Sequence, residues 1–425
     1  MSFDSILAEL AEWALKDVEP TKGRSFGLVY QYNEEINRLN EKIFQLYQRK
    51  NAVSASTFPS IAMLEKKTLT FCKQILGFAP SSAGCVTSCS TESNYLALRA
   101  FREKAKVERN ISHPSILASA SAHPSLFKAA YDLSMPVIKV PMDAAYKMPS
   151  DPEILRQYLR EDTCILVASC PTYSHGVHDP IAVLAAFSLE HQLSFHIDAA
   201  IGGLYFPFEK AGPLAAGLTA LEGVSSITID LHKYGYAPRG ISVLLYKEKA
   251  MRHYQYFYDP NYLGNSYIAP TFLGSREAYP LACAYAIIRY LGVAGFQAAV
   301  QSIERVRERL YSYIKASSYY AIVGQPEASI ICITSTVVDI HALYKALLQK
   351  GWFVSRLSTP LCLHLILMPI HEISLAEFIA DLESLAQSLP RATKTTELET
   401  CFVYGLKAQP GTDPMALMDA RYDES

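Results

Sequence analysis

The sequence lacks several features that would each indicate a particular class of protein. Its 39 Lys and Arg residues are balanced by 41 Asp and Glu residues, so no basic excess favours nucleic-acid binding. No run of eighteen apolar residues occurs, and we therefore expect no membrane span. No Cys-x-x-Cys pair occurs, and the eleven histidines show no ligand-type pairing with the cysteines, so no metal site is predicted.

What is present is the composition of a large globular protein. The chain has 425 residues, 50% of them hydrophobic and 19% charged, which is enough for two or three domains. Nine cysteines, most of them in apolar runs such as Ile331-Cys332-Ile333, predict reduced thiols in a cytoplasmic protein. Residues 1–15 place apolar side chains at helical spacing among acidic ones, which predicts an amphipathic helix and not a signal peptide.

Apolar strand patterns alternate with helical patterns through the middle of the chain. The strand candidates are residues 115–119, 135–140, 164–169, 193–197, 226–229 and 241–246. This alternation predicts an α/β fold with a mainly parallel central sheet covered by helices. After Pro280 the pattern changes to that of a smaller α+β domain. We therefore expect an N-terminal helical arm (1–60), a large domain (61–290) and a small C-terminal domain with a tail (291–425).

The most informative segment is residues 228–240, Thr-Ile-Asp-Leu-His-Lys-Tyr-Gly-Tyr-Ala-Pro-Arg-Gly. It places Lys233 just after a strand, where burial would lower the lysine pKa and free its amine as a nucleophile. Asp198 ends the upstream strand Phe-His-Ile-Asp. An aspartate and a lysine at two strand ends suggest pyridoxal phosphate (PLP), with the carboxylate on the pyridinium nitrogen. The alternatives are a solvated lysine and a strand-end or N-cap aspartate.

Other motifs lie beside this pair. Residues 87–94, Thr-Ser-Cys-Ser-Thr-Glu-Ser-Asn, precede a helix, so Ser90 and Thr91 could donate to a phosphate or simply cap the helix. His123 could lie flat on a cofactor ring, or act as a capping or core residue. His175 follows a strand and is a plausible proton carrier, although loop histidines are usually just exposed. Residues 270–276 form another turn-to-helix junction, which could supply phosphate donors across a dimer interface.

These segments, taken in order, resemble the fold-type I PLP enzymes of the group II decarboxylase superfamily, and most closely the sphingosine 1-phosphate lyase family. The resemblance implies a covalent bond from Lys233 to the cofactor, a pairing of Asp198 with the pyridinium nitrogen and a stacking of His123 on the ring. It also implies a homodimer with shared active sites. The residues implied to hold the cofactor phosphate are Ser90, Thr91 and His232, with Gly274 and Ser275 of the partner subunit.

The same resemblance implies the substrate and the reaction. Tyr30 and Arg239 match positions that hold the substrate phosphate, and His175 is placed at the substrate. A phosphorylated sphingoid base would be cleaved between C2 and C3 by a retro-aldol step, giving a long-chain aldehyde and phosphoethanolamine. The base stays open between Lys233, His175 and a phosphate oxygen. Because Ser54 stands where the family has a histidine, an L-amino-acid decarboxylase on the same fold is the alternative.

Overall fold

The computed structural model describes residues 2–54, 56–209 and 221–392, together with 413 and 415. It divides into two compact units, a large one of residues 30–302 and a small one of residues 1–29 with 303–425. The expected separate arm of residues 1–60 is therefore split between the two units. Most of the tail expected after residue 390 lies outside the described residues.

The helices and strands alternate through the large unit, as the sequence predicts. The helices are α1 (Phe3–Ala14), α2 (Glu34–Tyr47), α3 (Pro59–Ile75), α4 (Ser90–Arg109), α5 (Pro124–Asp132), α6 (Pro152–Arg156), α7 (Ile181–Glu190), α8 (Met251–Gln255), α9 (Tyr279–Ala316), α10 (Ile340–Gln349) and α11 (Leu375–Ser388). The strands are β1 (Ala83–Thr87), β2 (Ser115–Ser119), β3 (Val137–Val140), β4 (Thr163–Ser169), β5 (Ser194–Asp198), β6 (Val224–Asp230), β7 (Ser242–Tyr246), β8 (Phe257–Tyr262), β9 (Asn265–Ala269), β10 (Ala321–Ile322), β11 (Ile330–Thr334), β12 (Ser355–Ser358) and β13 (Leu361–Ile366).

A seven-stranded sheet forms the centre of the large unit. Its strand order is β1-β7-β6-β5-β4-β2-β3, and β7 is the strand that runs against the others. Every residue of β2 and β4 is buried, because helices cover both faces of the sheet. The predicted α/β fold with a mainly parallel sheet is confirmed.

The parallel strands bring the sequence motifs to one edge of this sheet. The carboxyl ends that meet there are Thr87 of β1, Ser119 of β2, Ser169 of β4, Asp198 of β5 and Asp230 of β6. The antiparallel β7 begins at the same edge, where Ser242 pairs with both Thr87 and Asp230. In an open α/β sheet this edge is the place where ligands bind.

The small unit is built on a four-stranded antiparallel sheet of order β10-β11-β13-β12. Phe26 is completely buried in it, with its ring 4.5 Å from that of Phe378 and 6.0 Å from that of Trp352. The Phe26 amide donates to the Phe353 carbonyl, and the Ile366 amide donates to the Phe26 carbonyl, both at 2.9 Å. These contacts are why residues 1–29 belong to this unit.

Helix α9 is, within the described part of the chain, the one helix whose length and composition would allow it to cross a membrane. Its backbone leaves the helical conformation at Gly292, where φ is 56°. The sequence predicts two helices here, at 282–291 and 295–316, and the break falls between them. Ile287, Phe296 and Ile303 are buried, which is the pattern of a helix that packs in a protein core.

Candidate active site

Lys233 lies in a tight turn, three residues beyond the end of β6. A Cβ at position 235 would lie 2.3 Å from the Leu231 carbonyl oxygen, so this tight turn requires Gly235. The turn brings the Lys233 Nζ to 2.9 Å from Asp230 Oδ2, and the lysine side chain is 22% exposed whereas the Asp230 side chain is fully buried. The amine is therefore held against the Asp230 carboxylate at the edge of the sheet.

The charge state of Lys233 differs from the sequence expectation. Burial by itself lowers the pKa of Lys233, as expected, but the adjacent Asp230 carboxylate and the Tyr30 hydroxyl outweigh burial and raise it above its usual value. For Asp230, burial acts to raise the pKa, but Lys233, His232 and Ser242 lower it overall. The two groups form a charged pair, so the expectation that burial by itself frees the amine is wrong.

Asp198 is buried at the end of β5, and both of its carboxylate oxygens accept hydrogen bonds. The Asn94 amide nitrogen donates to Oδ2 at 3.1 Å, and the Ala200 backbone amide donates to Oδ1 at 3.1 Å. Asn94 Oδ1 in turn lies 3.0 Å from His196 Nε2. Burial lowers the pKa of His196 to about 4, so this ring is neutral at physiological pH.

His123 is half-buried at the N-terminus of α5, on the same edge of the sheet. Its Nδ1 accepts from the Ser125 backbone amide at 3.2 Å and lies 2.8 Å from the Ser125 hydroxyl. Burial lowers the pKa of His123, although the charge of Asp198 acts to raise it. A neutral imidazole that accepts at Nδ1 carries its hydrogen on Nε2.

The N-terminus of α4 begins at Ser90, directly after β1 ends. The N-cap residue, Cys89, forms no side-chain capping bond among the described residues, so the first amides of the helix remain available to a ligand. Ser90 and Thr91 are both half-buried. A helix N-terminus with hydroxyls on its first turn is suited to binding a phosphate.

Glu92 joins this helix to the segment that contains Gly274 and Ser275. Its Oε2 accepts from the Ser88 amide at 2.7 Å, and its Oε1 accepts from the amides of Phe272 and Leu273 at 2.9 and 3.2 Å. Ser275 Oγ accepts from the Asn51 side chain at 3.0 Å. Residues 272–275 are therefore anchored beside the α4 N-terminus of their own chain.

One tyrosine lies near Lys233 and a second lies against His123. The Tyr30 ring packs edge-on against Tyr234 at 5.0 Å, and burial raises the pKa of Tyr30 even though the Lys233 charge acts to lower it. The Tyr173 ring packs edge-on against His123 at 5.6 Å. Tyr30 is a predicted substrate residue, and Tyr173 is a neighbour that the sequence reasoning did not assign.

The remaining predicted residues have different surroundings. His232 Nδ1 donates to the Ile241 carbonyl at 2.8 Å, and its Nε2 lies 3.6 Å from Asp230 Oδ2. His175 is buried and stacks on Tyr146 with ring centroids 4.4 Å apart. Arg239 is exposed on the loop that follows Lys233. Their roles at a phosphate or a substrate stay predictions.

The sequence reasoning missed Asp230 and Asn94. Asp230 stands three residues before Lys233, and this spacing is a signal that could have suggested the ion pair. Asn94 stands 104 residues before Asp198, so only the packing of α4 on the sheet shows that they meet.

The donor set fits pyridoxal phosphate. It combines a lysine amine, a carboxylate with both oxygens held, a neutral imidazole and a helix N-terminus without a side-chain cap. These groups match an aldehyde, a pyridinium nitrogen, an aromatic ring and a phosphate, respectively. Such a site on a mainly parallel sheet defines the class of PLP-dependent enzymes of fold type I.

Comparison with known proteins agrees with this class. A family profile described as "Pyridoxal-dependent decarboxylase conserved domain" matches residues 15–335. The sphingosine-1-phosphate lyase 1 of Rattus norvegicus is 32% identical over 414 residues, which cover 96% of this chain and 72% of the relative. The sphingosine-1-phosphate lyase of Saccharomyces cerevisiae is 31% identical, with 85% and 62% covered. The chain therefore belongs to the pyridoxal-dependent decarboxylase family and, within it, to the sphingosine-1-phosphate lyase family.

Solved structures lead to the same fold. The structure of Burkholderia pseudomallei sphingosine-1-phosphate lyase matches with a TM-score of 0.85 and 28% identity, covering 92% of this chain and 91% of that one. The glutamate decarboxylase of Lactobacillus brevis matches with a TM-score of 0.80 and 21% identity, covering 92% of this chain and 94% of that one. The second likeness is one of fold alone. The protein is thus a PLP-dependent enzyme of this family.

Proposed function

We propose that this enzyme cleaves phosphorylated sphingoid bases between C2 and C3, giving a long-chain aldehyde and phosphoethanolamine. The observation that carries the proposal is the 32% identity to a sphingosine-1-phosphate lyase over 96% of the chain. It is supported by the grouping of Lys233, Asp198 and His123 at one edge of the sheet. The amino-acid decarboxylase alternative has weaker support, since the decarboxylase structure shares only the fold.

Each site residue has a proposed role in this chemistry. When bound, PLP supplies an electron sink for the pair released as the C2–C3 bond breaks. Lys233 is the amine that binds the cofactor covalently, Asp198 pairs with the pyridinium nitrogen, and His123 stacks on the ring. Ser90, Thr91 and His232 are proposed to hold the cofactor phosphate. The α4 N-terminus, which has no side-chain cap from Cys89, supports this placement.

The proton of the C3 hydroxyl must pass to a base as the carbonyl of the aldehyde forms. Of the two side chains considered for this role, Lys233 lies beside Asp230 and near Tyr30, whereas His175 stacks on Tyr146. Because the pKa of Lys233 is raised, its ammonium must release a proton before it can act as this base, so the role stays open between Lys233, His175 and a phosphate oxygen. Tyr30 and Arg239 are proposed to bind the substrate phosphate, with His175 in the surrounding loop.

Product analysis tests this function. We expect the PLP-loaded protein, mixed with sphingosine 1-phosphate in detergent micelles, to form long-chain aldehyde and phosphoethanolamine in equal amounts by mass spectrometry. Sphingosine without its phosphate should be cleaved at least about tenfold more slowly, because a charged phosphate contact contributes about 1.5–3 kcal/mol. Release of CO₂ from a panel of amino acids, without any aldehyde, would instead establish the decarboxylase alternative.

We also propose that the enzyme is a homodimer, in which Phe272 and Leu273 contact α4 of their own chain through Glu92 while Gly274 and Ser275 extend to the cofactor phosphate of the partner subunit. An exposed aromatic hairpin, β8–β9, leads directly into this segment. Tyr258 and Ile268, which face each other across it, are 58% and 56% exposed. A pair of such side chains in contiguous surface is typical of a protein interface. We propose the cytoplasm as its location, supported by eight cysteines that form no disulfide among the described residues.

The hairpin allows a direct test of the dimer. Sedimentation equilibrium should give twice the chain mass of 47.2 kDa for the unmodified protein. Tyr258→Ser combined with Ile268→Ser should shift the protein toward monomer and weaken PLP binding. Tyr131→Ser, which changes an 84% exposed side chain on α5, serves as the control and should remain dimeric. A monomeric unmodified protein that binds PLP normally would contradict the proposal.

A further inference from the structure

Asn94 lies in the first turns of α4 and is completely buried. Its amide contacts three other side chains. Asp198 Oδ2 is 3.1 Å from Nδ2, Ser125 Oγ is 3.2 Å from Nδ2, and His196 Nε2 is 3.0 Å from Oδ1. These three partners come from β5, which ends at Asp198, and from α5, whose N-cap residue is His123. Asn94 therefore joins the aspartate end of the site to the histidine end.

The chemistry of the partners determines the direction of each hydrogen bond. The Asp198 carboxylate is an acceptor, so the amide must present its NH₂ group to it and its oxygen to His196. His196 then carries its hydrogen on Nε2, and its Nδ1 accepts from the Ser226 hydroxyl at 2.7 Å. Thr228 Oγ1 is a second neighbour of His196 Nε2, at 3.3 Å.

The second amide hydrogen extends the same network toward His123. Asn94 donates to Ser125 Oγ, and the Ser125 hydroxyl then donates to His123 Nδ1, 2.8 Å away. The Ser125 backbone amide also donates to this nitrogen. The hydrogen of the neutral His123 ring is thereby kept on Nε2. Both hydrogens and the oxygen of the Asn94 amide group therefore have partners.

We propose that Asn94 is a positioning residue. It sets the orientations of the Asp198 and His123 side chains relative to each other, so that both can contact the pyridine ring of the cofactor. The inference rests on the roles proposed above for those two residues. Without Asn94, Asp198 retains the Ala200 amide on Oδ1 but loses the side-chain donor to Oδ2, so its carboxylate can rotate. Ser125 likewise loses the donor that orients its hydroxyl toward His123. A carboxylate that must face a ring nitrogen requires its orientation to be set beforehand.

Cofactor binding to the apoprotein tests this role. Asn94→Leu retains the approximate volume and removes all three hydrogen bonds. Asn94→Asp retains the shape and the acceptor for His196 but replaces the donor to Asp198 with a carboxylate oxygen that repels it. At pH 8 both variants should bind PLP about 10- to 100-fold more weakly, measured by quenching of intrinsic fluorescence, because a hydrogen bond to a charged group is lost. The pH dependence of the absorbance of the bound cofactor should also change.

Two further variants separate the possible outcomes. Ser125→Ala interrupts the branch to His123 alone, so it should weaken PLP binding less than either Asn94 variant. Asp198→Ala tests the proposed function itself, since unchanged PLP binding and absorbance in that variant would remove Asp198 from the site. If Asp198→Ala weakens binding but both Asn94 variants bind like the unmodified protein, the inference is overturned.

The unfolding midpoint of each apoprotein is measured in parallel. A merely structural role would lower that midpoint without changing the absorbance profile, and this result also overturns the inference. Should Asn94→Leu not fold, Asn94→Asp decides.

Discussion

Replacement of Lys233 by Met should abolish covalent attachment of the cofactor and lower activity at least about 10³-fold. Only the lysine amine can form the bond to the cofactor aldehyde, and nucleophilic or acid–base groups in this position contribute factors of this size. Borohydride treatment of the loaded, unmodified protein should leave a cofactor adduct on the peptide that contains Lys233. In the variant, mass spectrometry should find no adduct, and the visible absorbance of the bound cofactor should be absent.

Met is a better replacement than Ala, because it retains the aliphatic stem that packs in the turn. Its cost is that Asp230 loses the cation at 2.9 Å, so the fold of the variant must be checked first by its unfolding midpoint. Lys247→Met is the matched control. Lys247 likewise follows a strand, β7, and its Nζ donates to the carbonyls of Leu221 and Glu222, but it lies at the other end of the sheet. A folded Lys233→Met protein with the absorbance of the unmodified enzyme would remove Lys233 from its proposed role.

Replacement of Asp230 by Asn should destabilise the apoprotein by about 3 kcal/mol at neutral pH. The change leaves the Lys233 ammonium without its carboxylate, and breaking a buried ion pair typically costs about 3–5 kcal/mol. We expect the lower end because the Lys233 side chain retains 22% exposure. Urea denaturation of the two apoproteins measures the difference. Glu190→Gln, which disrupts an exposed pair with Arg156, is the control and should cost less than about 1 kcal/mol.

The stability lost on replacing Asp230 by Asn should depend on pH in a way that the two pKa shifts define. The pKa of Lys233 is raised in the folded state, so its contribution is present below the unfolded value of about 10.4 and disappears as pH rises through the folded value. The pKa of Asp230 is lowered, so its contribution is present above about 3.9 and disappears as pH falls through the folded value. The difference between the two proteins should therefore be largest between about pH 5 and 10. A difference that does not vary with pH would contradict the ion-pair explanation.

Much of the fold could be predicted from local patterns. The strand predictions at 115–119 and 241–246 agree with β2 and β7 to within one residue, because continuous apolar runs are typical of strands buried on both faces. The hairpin β8–β9 was not predicted, since residues 257–269 mix aromatic, Asp, Pro and Asn residues and are exposed. The β-strand Ala83–Thr87 was also missed, because its Gly84 and Ser-rich approach resembled a loop.

Part of the candidate site could also be predicted from local patterns, and part of it could not. Lys233, Asp198 and His123 could be identified because each follows a strand pattern, and the ends of parallel strands meet at one edge of the sheet. The contacts of Glu92 with residues 272 and 273 could not be predicted, because they join segments about 180 residues apart. Such contacts depend on how elements pack, which no local pattern encodes.

The α/β class, the PLP-dependent family and the residue types that the cofactor requires could all be predicted from the amino-acid sequence. These depend on periodicity and on motifs within a few residues, which are properties of a short window of chain. Three features required the folded structure: the raised pKa of Lys233, the link from Asn94 to Asp198 and His123, and the place of Phe26 in the small unit. The physical reason is that pKa values and hydrogen bonds depend on distances of a few ångströms in space, and folding sets those distances between residues that are far apart in the chain.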